Sequence, residues 1–416
     1  MRAMQVLLVQ PPIYDFSAYD FWLRPYGMLR VAGRIRNAAS FTFFDYLVSH
    51  PRDPWGRGRY PEEIVQKPPQ FRDIPRHFRR FGRPRAEFCE LLKARRFDVV
   101  LVQTMMTYWY PGVREVIEDL RRWQPHAKII LGGAYATICP SHATALEADL
   151  VIEGCNLDPL WQMLSLSPGT DPPLWVPPLR DVGIIKISDG CPFRCTYCAS
   201  PVFSPEFRSR PAEQTFEELR QLVTLGARHV AFYDDALLFR PQESLVPFLQ
   251  RVISEELRVS LHTPNALNAR FVTAELARLM VRSGFVTYYL GLESGAENWQ
   301  RSTGGKVDSS EFAAAVNHLR SAGAHSITAY VLIGHPDSEG QEVESTMHLA
   351  NECHARVMLS EFSPVPGTPD GERCSAWAEM GEPLHHNKTA FTLRRLGNER
   401  LTRLKDVARK LNRRLN

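Results

Sequence analysis

The chain has 416 residues, of which 44% are hydrophobic and 23% charged, and its formal net charge is +4. This length leaves room for two domain cores, and the absence of a coiled coil, a low-complexity tract or a fixed-period repeat excludes fibrous and solenoid classes. The apolar run after Met1 stops at Pro11-Pro12, too early for a signal sequence or a membrane span. We therefore expect a cytoplasmic globular protein without a transmembrane segment.

Strand and helix patterns alternate in residues 1–155. The strand patterns are QVLLVQ, FTFFDYL, FDVVLVQT, KIILGG and ADLVIEG, with helical patterns such as GMLRVAGRIRNA between them. This alternation predicts an α/β domain with a Rossmann-like parallel sheet that binds ligands at the carboxyl ends of its strands. An insertion at 51–85 carries ten Lys or Arg against four Asp or Glu, either as a solvated surface or as a face for an anionic partner.

The rest of the chain predicts a linker, a second α/β domain and a helical tail. Residues 156–181 are rich in proline and lack a period, as expected of a linker. Six strand patterns with intervening helical patterns occupy residues 182–370, from VGIIKIS to RVMLSEFS, which predicts a complete or partial (β/α) barrel. Leucines at helical spacing near the end predict a C-terminal helical extension at 371–416.

Three of the eight cysteines share one short loop, GCPFRCTYCAS (residues 190–200, the cluster loop), where Cys191, Cys195 and Cys198 follow the spacing C-x3-C-x2-C. A structural zinc ion needs four ligands, and an electron-transfer [4Fe–4S] cluster takes four cysteines. Three cysteines instead hold three irons of a cubane and leave the fourth iron open to a substrate or cofactor. The remaining cysteines are scattered and are most simply small buried hydrophobes: Cys89, Cys139, Cys155, Cys353 and Cys374.

This loop resembles the radical S-adenosylmethionine superfamily. The spacing matches, Tyr197 supplies the aromatic residue usual before the last cysteine, and the loop follows the first strand of the predicted barrel. The resemblance implies a [4Fe–4S] cluster that binds S-adenosylmethionine and reduces it to a 5′-deoxyadenosyl radical. The resemblance also implies that residues at three strand ends contact S-adenosylmethionine: Tyr233, Asp234 and Asp235 the methionine amino group, Glu293 and Ser294 the ribose, and Gly334 and Pro336 the adenine. A carboxylate at a strand end could equally cap the following helix.

The front domain resembles the cobalamin-binding domains that precede some radical enzymes. In those domains the nucleotide tail of the cofactor enters the sheet edge between a Ser/Thr-rich strand end and a glycine pair. The matching positions are Thr104 and Gly132-Gly133. Apolar and aromatic residues after Thr104 could pack under the corrin ring or line a domain interface instead, among them Met105, Met106 and Tyr108.

The histidine that ligates cobalt in many cobalamin domains is missing. Its motif, D-x-H-x-x-G, does not occur, and in the nearest string, DPWGRG at 53–58, Trp55 stands in the histidine position. Either no cobalamin binds, or it binds without a histidine axial ligand. Several radical enzymes with cobalamin domains also lack this histidine motif, so we keep the interpretation of the front domain as a cobalamin domain.

Cobalamin-dependent C-methylation of an unactivated carbon is the leading hypothesis, with a small-molecule or peptide substrate and an electron donor such as flavodoxin or ferredoxin. The alternatives are a radical cyclisation, oxidation or rearrangement without methyl transfer, and methylthiolation of tRNA, which the basic segments favour slightly. A non-catalytic carrier of cobalamin or a cluster is a third class. We expect no nucleic-acid partner, and the sequence assigns no catalytic acid or base.

Overall fold

The computed structural model describes residues 3–167 and 181–415. They form two compact units: the front unit, which comprises residues 3–167 and Ser375–Asn387, and the barrel unit, which comprises residues 181–374 and 388–415. The segment predicted as a C-terminal extension is therefore divided between the two units. Part of the predicted linker, 168–180, lies outside the described residues.

The front unit contains eight strands and six α-helices. Its strands are β1 (Met4–Gln10), β2 (Ile13–Asp15), β3 (Ala39–Asp45), β4 (Glu62–Val65), β5 (Phe78–Phe81), β6 (Val99–Thr104), β7 (Lys128–Gly133) and β8 (Leu150–Ile152). Its helices are α1 (Tyr26–Ile35), α2 (Arg85–Ala94), α3 (Tyr110–Trp123), α4 (Ala134–Ile138), α5 (Pro140–Thr144) and α6 (Asp158–Leu164).

Five of these strands form a parallel sheet in the order β3-β1-β6-β7-β8. Strand β1 is apolar without alternation, and its residues 6–9 are fully buried, as expected of a central parallel strand covered on both faces. Val6 and Leu8 pack in one core with Ala32 of α1 and with Leu160 and Trp161 of α6. Each fully buried large apolar side chain stabilises the folded state by about 1.5–3 kcal/mol. This core therefore holds the carboxyl ends of the parallel strands at one edge of the sheet.

Strands β4 and β5 of the basic insertion join β2 in a small antiparallel sheet in the order β2-β5-β4, which the sequence analysis did not predict. Several of its arginines form ion pairs with carboxylates of the front unit. Arg80, 3% exposed, donates from Nε and Nη2 to the two oxygens of Glu115, at 2.8 and 2.7 Å, and Arg85 makes two 2.8 Å contacts with Asp119. Much of the positive charge of this segment is thus neutralised internally.

The barrel unit contains eight strands and ten α-helices. Its strands are β9 (Val182–Ile185), β10 (Ser188–Asp189), β11 (Arg208–Ser209), β12 (His229–Phe232), β13 (Ser260–Asn268), β14 (Phe285–Glu293), β15 (Ile327–Ile333) and β16 (Arg356–Glu361). Its helices are α7 (Ser200–Phe203), α8 (Ala212–Thr224), α9 (Leu245–Ser254), α10 (Ala274–Arg282), α11 (Glu297–Ser302), α12 (Ser309–Ser321), α13 (Gly340–Glu352), α14 (Pro369–Arg373), α15 (Lys388–Leu396) and α16 (Asn398–Arg413).

Six strands form one parallel sheet in the order β16-β15-β14-β13-β12-β9, with helices in the crossovers. Among the described residues the first and last strands of this sheet do not pair, so the barrel is partial. The predicted fold class, a Rossmann-like parallel sheet followed by a partial (β/α) barrel and a helical tail, is confirmed. The helix α16 buries Leu401, Leu404 and Leu411, as the leucine spacing predicts.

No helix among the described residues combines the length and the apolar character needed to cross a lipid bilayer.

Candidate active site

The cluster loop runs from the end of β10 to the start of α7, shortly after the first strand of the parallel sheet. Cys191 and Cys195 are each 9% exposed, Cys198 is half-buried, and none of the three forms a disulfide. Gly190 opens the loop with φ of +77°, and a Cβ there would lie 2.1 Å from the carbonyl oxygen of Glu206. Only glycine fits this turn, which directs the following cysteines inward.

The spacing of the three thiols suits a cubane better than a zinc ion. Within residues 3–167 and 181–415, three ligand atoms lie within 4.8 Å of one another at His335, Asp337 and Asp370, but not at the three cysteines of the cluster loop. One tetrahedral zinc ion with Zn–S bonds of about 2.3 Å would need sulfurs about 3.8 Å apart. A cubane does not need its three thiolates this close together, because each of them binds a different iron.

Burial shapes the acid–base behaviour of these thiols. It raises the pKa of Cys191 to about 11 and also raises the pKa of Cys195. Both groups are therefore protonated in the metal-free chain at neutral pH. Since the thiolate is the metal ligand, cluster assembly at this loop must release protons.

A half-buried lysine that the sequence analysis missed lies beside this loop. Lys306 Nζ contacts Glu293 Oε1 at 3.4 Å. Burial disfavours the charged form of Lys306, yet the Glu293 carboxylate holds the pKa of Lys306 above its ordinary value. Burial raises the pKa of Glu293, and Lys306 opposes that rise. The ammonium group of Lys306 therefore lies near the cysteines, paired with the carboxylate of Glu293.

Two glycines before Lys306 are the sequence signal that could have revealed it. Gly304 has φ of +118°, and a Cβ there would lie 3.1 Å from the carbonyl oxygen of Arg194 and from Cys195 Cα. The backbone N–H of Thr196 donates to the carbonyl of Thr303 at 3.1 Å. Glycine thus allows the segment before α12 to contact the cluster loop, which positions Lys306.

Glu293 itself sits in a strained backbone position at the end of β14. Its φ is +59°, in the left-handed region that non-glycine residues rarely adopt, and the pairing of β14 with β15 shifts register between Gly291 and Glu293. Such a conformation costs about 1–3 kcal/mol and persists where the surroundings impose it. The strain directs the carboxylate of Glu293 toward Lys306, at the carboxyl edge of the sheet.

The predicted triplet Tyr233, Asp234 and Asp235 follows β12, and its two carboxylates have different partners. Asp234 Oδ1 accepts hydrogen bonds from the backbone N–H groups of Ile187 and Ser188, at 3.0 and 2.6 Å, and from the Ser188 hydroxyl. Burial raises its pKa to about 6 against these bonds. The Asp234 carboxylate therefore fixes the backbone of Ile187 and Ser188, which lies just before the cluster loop.

Asp235 lies closer to the cysteines. Its Oδ1 accepts from Ser200 Oγ at 3.2 Å, and Ser200 Oγ lies 3.4 Å from Cys198 Sγ. Lys186 Nζ approaches the other carboxylate oxygen at 3.5 Å. Of the two carboxylates, that of Asp235 is the better candidate for a cofactor amino group, because it is 31% exposed while Asp234 is buried.

The remaining predicted contacts of the barrel unit also have internal partners. Ser294 Oγ donates to Glu342 and accepts from the backbone N–H of Ala296. Gly334 has φ of +78°, and a Cβ there would lie 2.4 Å from Thr392 Oγ1 of α15. The carbonyl of Pro336 accepts from Arg395 at 2.8 Å. These residues lie at the carboxyl edge as expected, and their contacts with ribose and adenine stay predictions.

A buried network holds the middle of the cluster loop. Asp370 Oδ2 accepts from Thr196 Oγ1 at 2.5 Å and lies 2.9 Å from His335 Nε2. The ring of Tyr197 stacks on Trp299, with centroids 5.7 Å apart. The sequence analysis assigned no role to His335 or Asp370, which are far from the loop in sequence, although both immobilise it.

The front unit brings its predicted ligand residues to one sheet edge. Thr104 of β6 pairs with Gly133 of β7, and Thr104 Oγ1 accepts from the backbone N–H of Ala136 at 3.1 Å. A Cβ at Gly133, whose φ is +114°, would lie 2.2 Å from the Thr104 carbonyl oxygen, so the strand pairing itself requires this glycine. A Cβ at Gly132 would have Ile152 as its nearest neighbour, at 3.9 Å, which leaves open space beside that strand end.

A small pocket lies at the carboxyl ends of β1 and β6. Met105 and Met106 line it, whereas Tyr108 is 2% exposed and lies outside the lining, so its ring is not offered to a ligand. Trp109 lines the pocket instead of Tyr108, and its Nε1 donates a hydrogen bond to Asp15. The lining is largely apolar and contains no histidine; it consists of Gln10, Pro11, Pro12, Ile13, Leu47, Gln103, Met105, Met106, Trp109 and Val113.

Both halves of the chain match family models. Residues 185–350 match the radical SAM superfamily, and residues 77–159 match the B12 binding domain. The threonylcarbamoyladenosine tRNA methylthiotransferase MtaB of Thermotoga maritima is 27% identical over 280 residues, which is 62% of this chain and 64% of the relative. An uncharacterised methyltransferase of Pyrococcus horikoshii is 28% identical over 191 residues, 45% of this chain and 40% of the relative. The chain thus spans less than two thirds of either relative.

Two solved structures share the fold over most of the chain. The radical S-adenosylmethionine methyltransferase TsrM of Kitasatospora setae, solved with tryptophan and a SAM analogue, superposes with a TM-score of 0.67 at 14% identity, over 90% of this chain and 77% of that one. The cobalamin-dependent radical enzyme OxsB, solved with aqua-cobalamin and S-adenosylmethionine, gives a TM-score of 0.61 at 13% identity, over 98% and 61%. At these identities the likeness establishes the fold.

Proposed function

The chain is a radical SAM enzyme with an N-terminal B12-binding domain, and from this premise we propose that it catalyses cobalamin-dependent methylation of an unactivated carbon. The observation that carries the proposal is the presence in one chain of two features. The first is a three-thiol loop beside the Lys306–Glu293 ion pair, and the second is a histidine-free, largely apolar pocket at the edge of the B12-binding sheet. A radical reaction that used S-adenosylmethionine without cobalamin would have no need of the second feature.

The residues present fit both cofactors. Cys191, Cys195 and Cys198 would hold the cluster, and Asp235 and Glu293 would hold S-adenosylmethionine at the barrel edge. Lys306 adds a fixed ammonium group beside the thiolates, which suits a carboxylate such as that of the methionine moiety. Asp234 acts through the backbone of the cluster loop.

In the front unit, the edge between Thr104 and Gly132-Gly133 would admit the nucleotide tail of cobalamin, with Met105 and Met106 toward the corrin. When bound, the cluster supplies the electron that cleaves S-adenosylmethionine, and cobalamin supplies a carrier for a methyl group. The contribution of the chain is to hold these groups in place and to exclude water: the cysteines that would ligate the cluster are nearly buried, and the pocket of the front unit is largely apolar. An electron donor such as flavodoxin or ferredoxin is the expected partner.

Methylthiolation of tRNA is the second candidate, favoured by the name of the Thermotoga relative. Two features argue against it. Arginines of the basic insertion are paired with carboxylates, as Arg80 is with Glu115, which weakens the charge available for a phosphate backbone. Enzymes of that class also usually carry three cysteines in the front domain that hold a second cluster, whereas the front-unit cysteines of this chain, Cys89, Cys139 and Cys155, stand at unrelated spacing.

The products of turnover test the proposal. With its substrate and a reductant, each methylation should consume two S-adenosylmethionine molecules and yield one S-adenosylhomocysteine and one 5′-deoxyadenosine, because one molecule donates the methyl group and the other provides the radical. Methyl-labelled S-adenosylmethionine should pass its label into the product, measured by mass spectrometry. Accumulation of deoxyadenosine without S-adenosylhomocysteine, with the label kept in methionine, would establish the oxidative or rearranging alternative instead. A methylthio mass on tRNA would establish the second candidate.

Bound cobalamin should lack an axial nitrogen ligand from the protein. No histidine lines the pocket at the sheet edge. Trp55 occupies the position where the motif would have a histidine, and its backbone carbonyl accepts a hydrogen bond from Trp22 Nε1 at 2.7 Å. The electron paramagnetic resonance spectrum of the cobalt(II) form bound to the protein should therefore show no nitrogen splitting, whereas free base-on cobalamin provides the positive control. Splitting from one nitrogen in the bound form would contradict this expectation.

A further inference from the structure

Gln10, the last residue of β1, has a buried amide oxygen without a partner. Its side chain is 2% exposed and lines the pocket of the front unit. Its Nε2 lies 3.4 Å from Met105 Sδ, while its Oε1 accepts no hydrogen bond from any of the described residues. Buried polar side chains almost always have a partner, so an amide oxygen in this state needs an explanation.

The composition of the lining limits the donors that could reach this oxygen. Pro11 and Pro12, which follow Gln10 directly, have no backbone N–H. The two donors on lining side chains have other acceptors: Gln103 Nε2 donates to the Thr104 carbonyl at 2.9 Å, and Trp109 Nε1 donates to Asp15 at 2.8 Å. The rest of the lining is aliphatic or thioether. The pocket therefore combines apolar walls with one neutral acceptor.

We propose that Gln10 Oε1 accepts a hydrogen bond from a primary amide on the corrin ring of bound cobalamin. This inference rests on the proposed function, because it takes cobalamin to be the ligand of the front unit. The periphery of a corrin carries acetamide and propionamide groups, which are neutral N–H donors on short apolar stems. An amide of this kind matches the pocket, whereas an anion would meet the acceptor oxygen of Gln10 without a compensating cation in the lining.

A role in ligand binding and a role in folding predict opposite effects on the ligand-free protein. An acceptor buried without a partner destabilises the folded state, and removing it by a side chain of the same length should relieve that cost. Gln10→Met should therefore raise the melting temperature of the ligand-free full-length chain, or leave it unchanged, while it weakens corrinoid binding. A residue that served packing alone would show a loss of stability with no specific loss of affinity.

The experiment measures melting temperature and corrinoid affinity, by equilibrium dialysis, for aquacobalamin and for cobinamide, which keeps the corrin amides but lacks the nucleotide tail. For Gln10→Met we expect affinity for both corrinoids to fall by roughly five- to tenfold, the loss that one neutral hydrogen bond gives. Gln10→Leu repeats the test with a different shape. Gln5→Met, a change of the same type at the opposite end of β1, should alter neither affinity.

Each other outcome overturns a defined part of the argument. Unchanged cobalamin affinity in both Gln10 variants, with wild-type protein that binds, would overturn the role of Gln10 and leave the proposed function intact. A loss seen with cobalamin but not with cobinamide would move the donor from the corrin to the nucleotide tail and would overturn the inference. A lowered melting temperature in both variants would assign Gln10 to folding. Wild-type protein that binds neither corrinoid would overturn the proposed function itself.

Discussion

The Cys195→Ala protein is expected to contain no [4Fe–4S] cluster and to form no 5′-deoxyadenosine. Each thiolate of the cluster loop would anchor one iron, and the described part of the loop offers no fourth cysteine to replace a missing one. The same result is expected for Cys191→Ala and Cys198→Ala. Iron and sulfide content after anaerobic reconstitution, and deoxyadenosine after addition of dithionite and S-adenosylmethionine, measure the two effects.

Cys353→Ala provides the matched control, because this cysteine is the C-cap of α13, in the same unit but outside the cluster loop. It should retain wild-type iron content and deoxyadenosine formation. The melting temperature of metal-free Cys195→Ala should stay close to that of the metal-free wild type, since the change removes one sulfur from a loop. Wild-type iron content in Cys195→Ala would refute the assignment of the cluster to this loop.

The Gly132→Leu protein is expected to lose cobalamin binding while it keeps its fold. The space beside Gly132 is open, with Ile152 as the nearest neighbour of a new Cβ at 3.9 Å, so a leucine can be accommodated there and would fill the room that the nucleotide tail needs. We expect affinity to fall by roughly a hundredfold or more, the equivalent of about 2.7 kcal/mol. Equilibrium dialysis against aquacobalamin, together with the melting temperature, measures both parts.

Gly133 shows why the choice of position matters. A side chain there would collide with the Thr104 carbonyl and force a positive φ on a non-glycine residue, at a cost of at least about 1–3 kcal/mol in stability. Gly133→Leu should therefore lose binding and stability together, and it cannot test the ligand by itself. Gly132→Ala, which adds only the tolerated Cβ, is the control and should bind cobalamin with near wild-type affinity. Undiminished binding by Gly132→Leu would show that the tail does not enter at this edge.

Local sequence patterns were sufficient to predict most strands and helices of the two sheets and the cluster loop. An unbroken apolar run such as residues 6–9 predicts a central parallel strand because both of its faces must be covered. The C-x3-C-x2-C spacing predicts one metal cluster because all three ligands lie within eight consecutive residues, so no long-range folding is needed to bring them to one loop. The missing histidine motif was likewise visible, since it is a contiguous string.

Pairings between distant residues could be decided only by the tertiary structure. Lys306 reaches Glu293 because two glycines allow its segment to contact the cluster loop, and Asp370 holds Thr196 across 174 positions of sequence. Neither follows from hydrophobic periodicity, which determines the face of a strand or helix but not the partner of a side chain. The same holds for Gln10. The sequence shows that a glutamine ends the strand, but only the tertiary structure buries its amide oxygen among prolines and methionines, where the described residues offer it no hydrogen-bond donor.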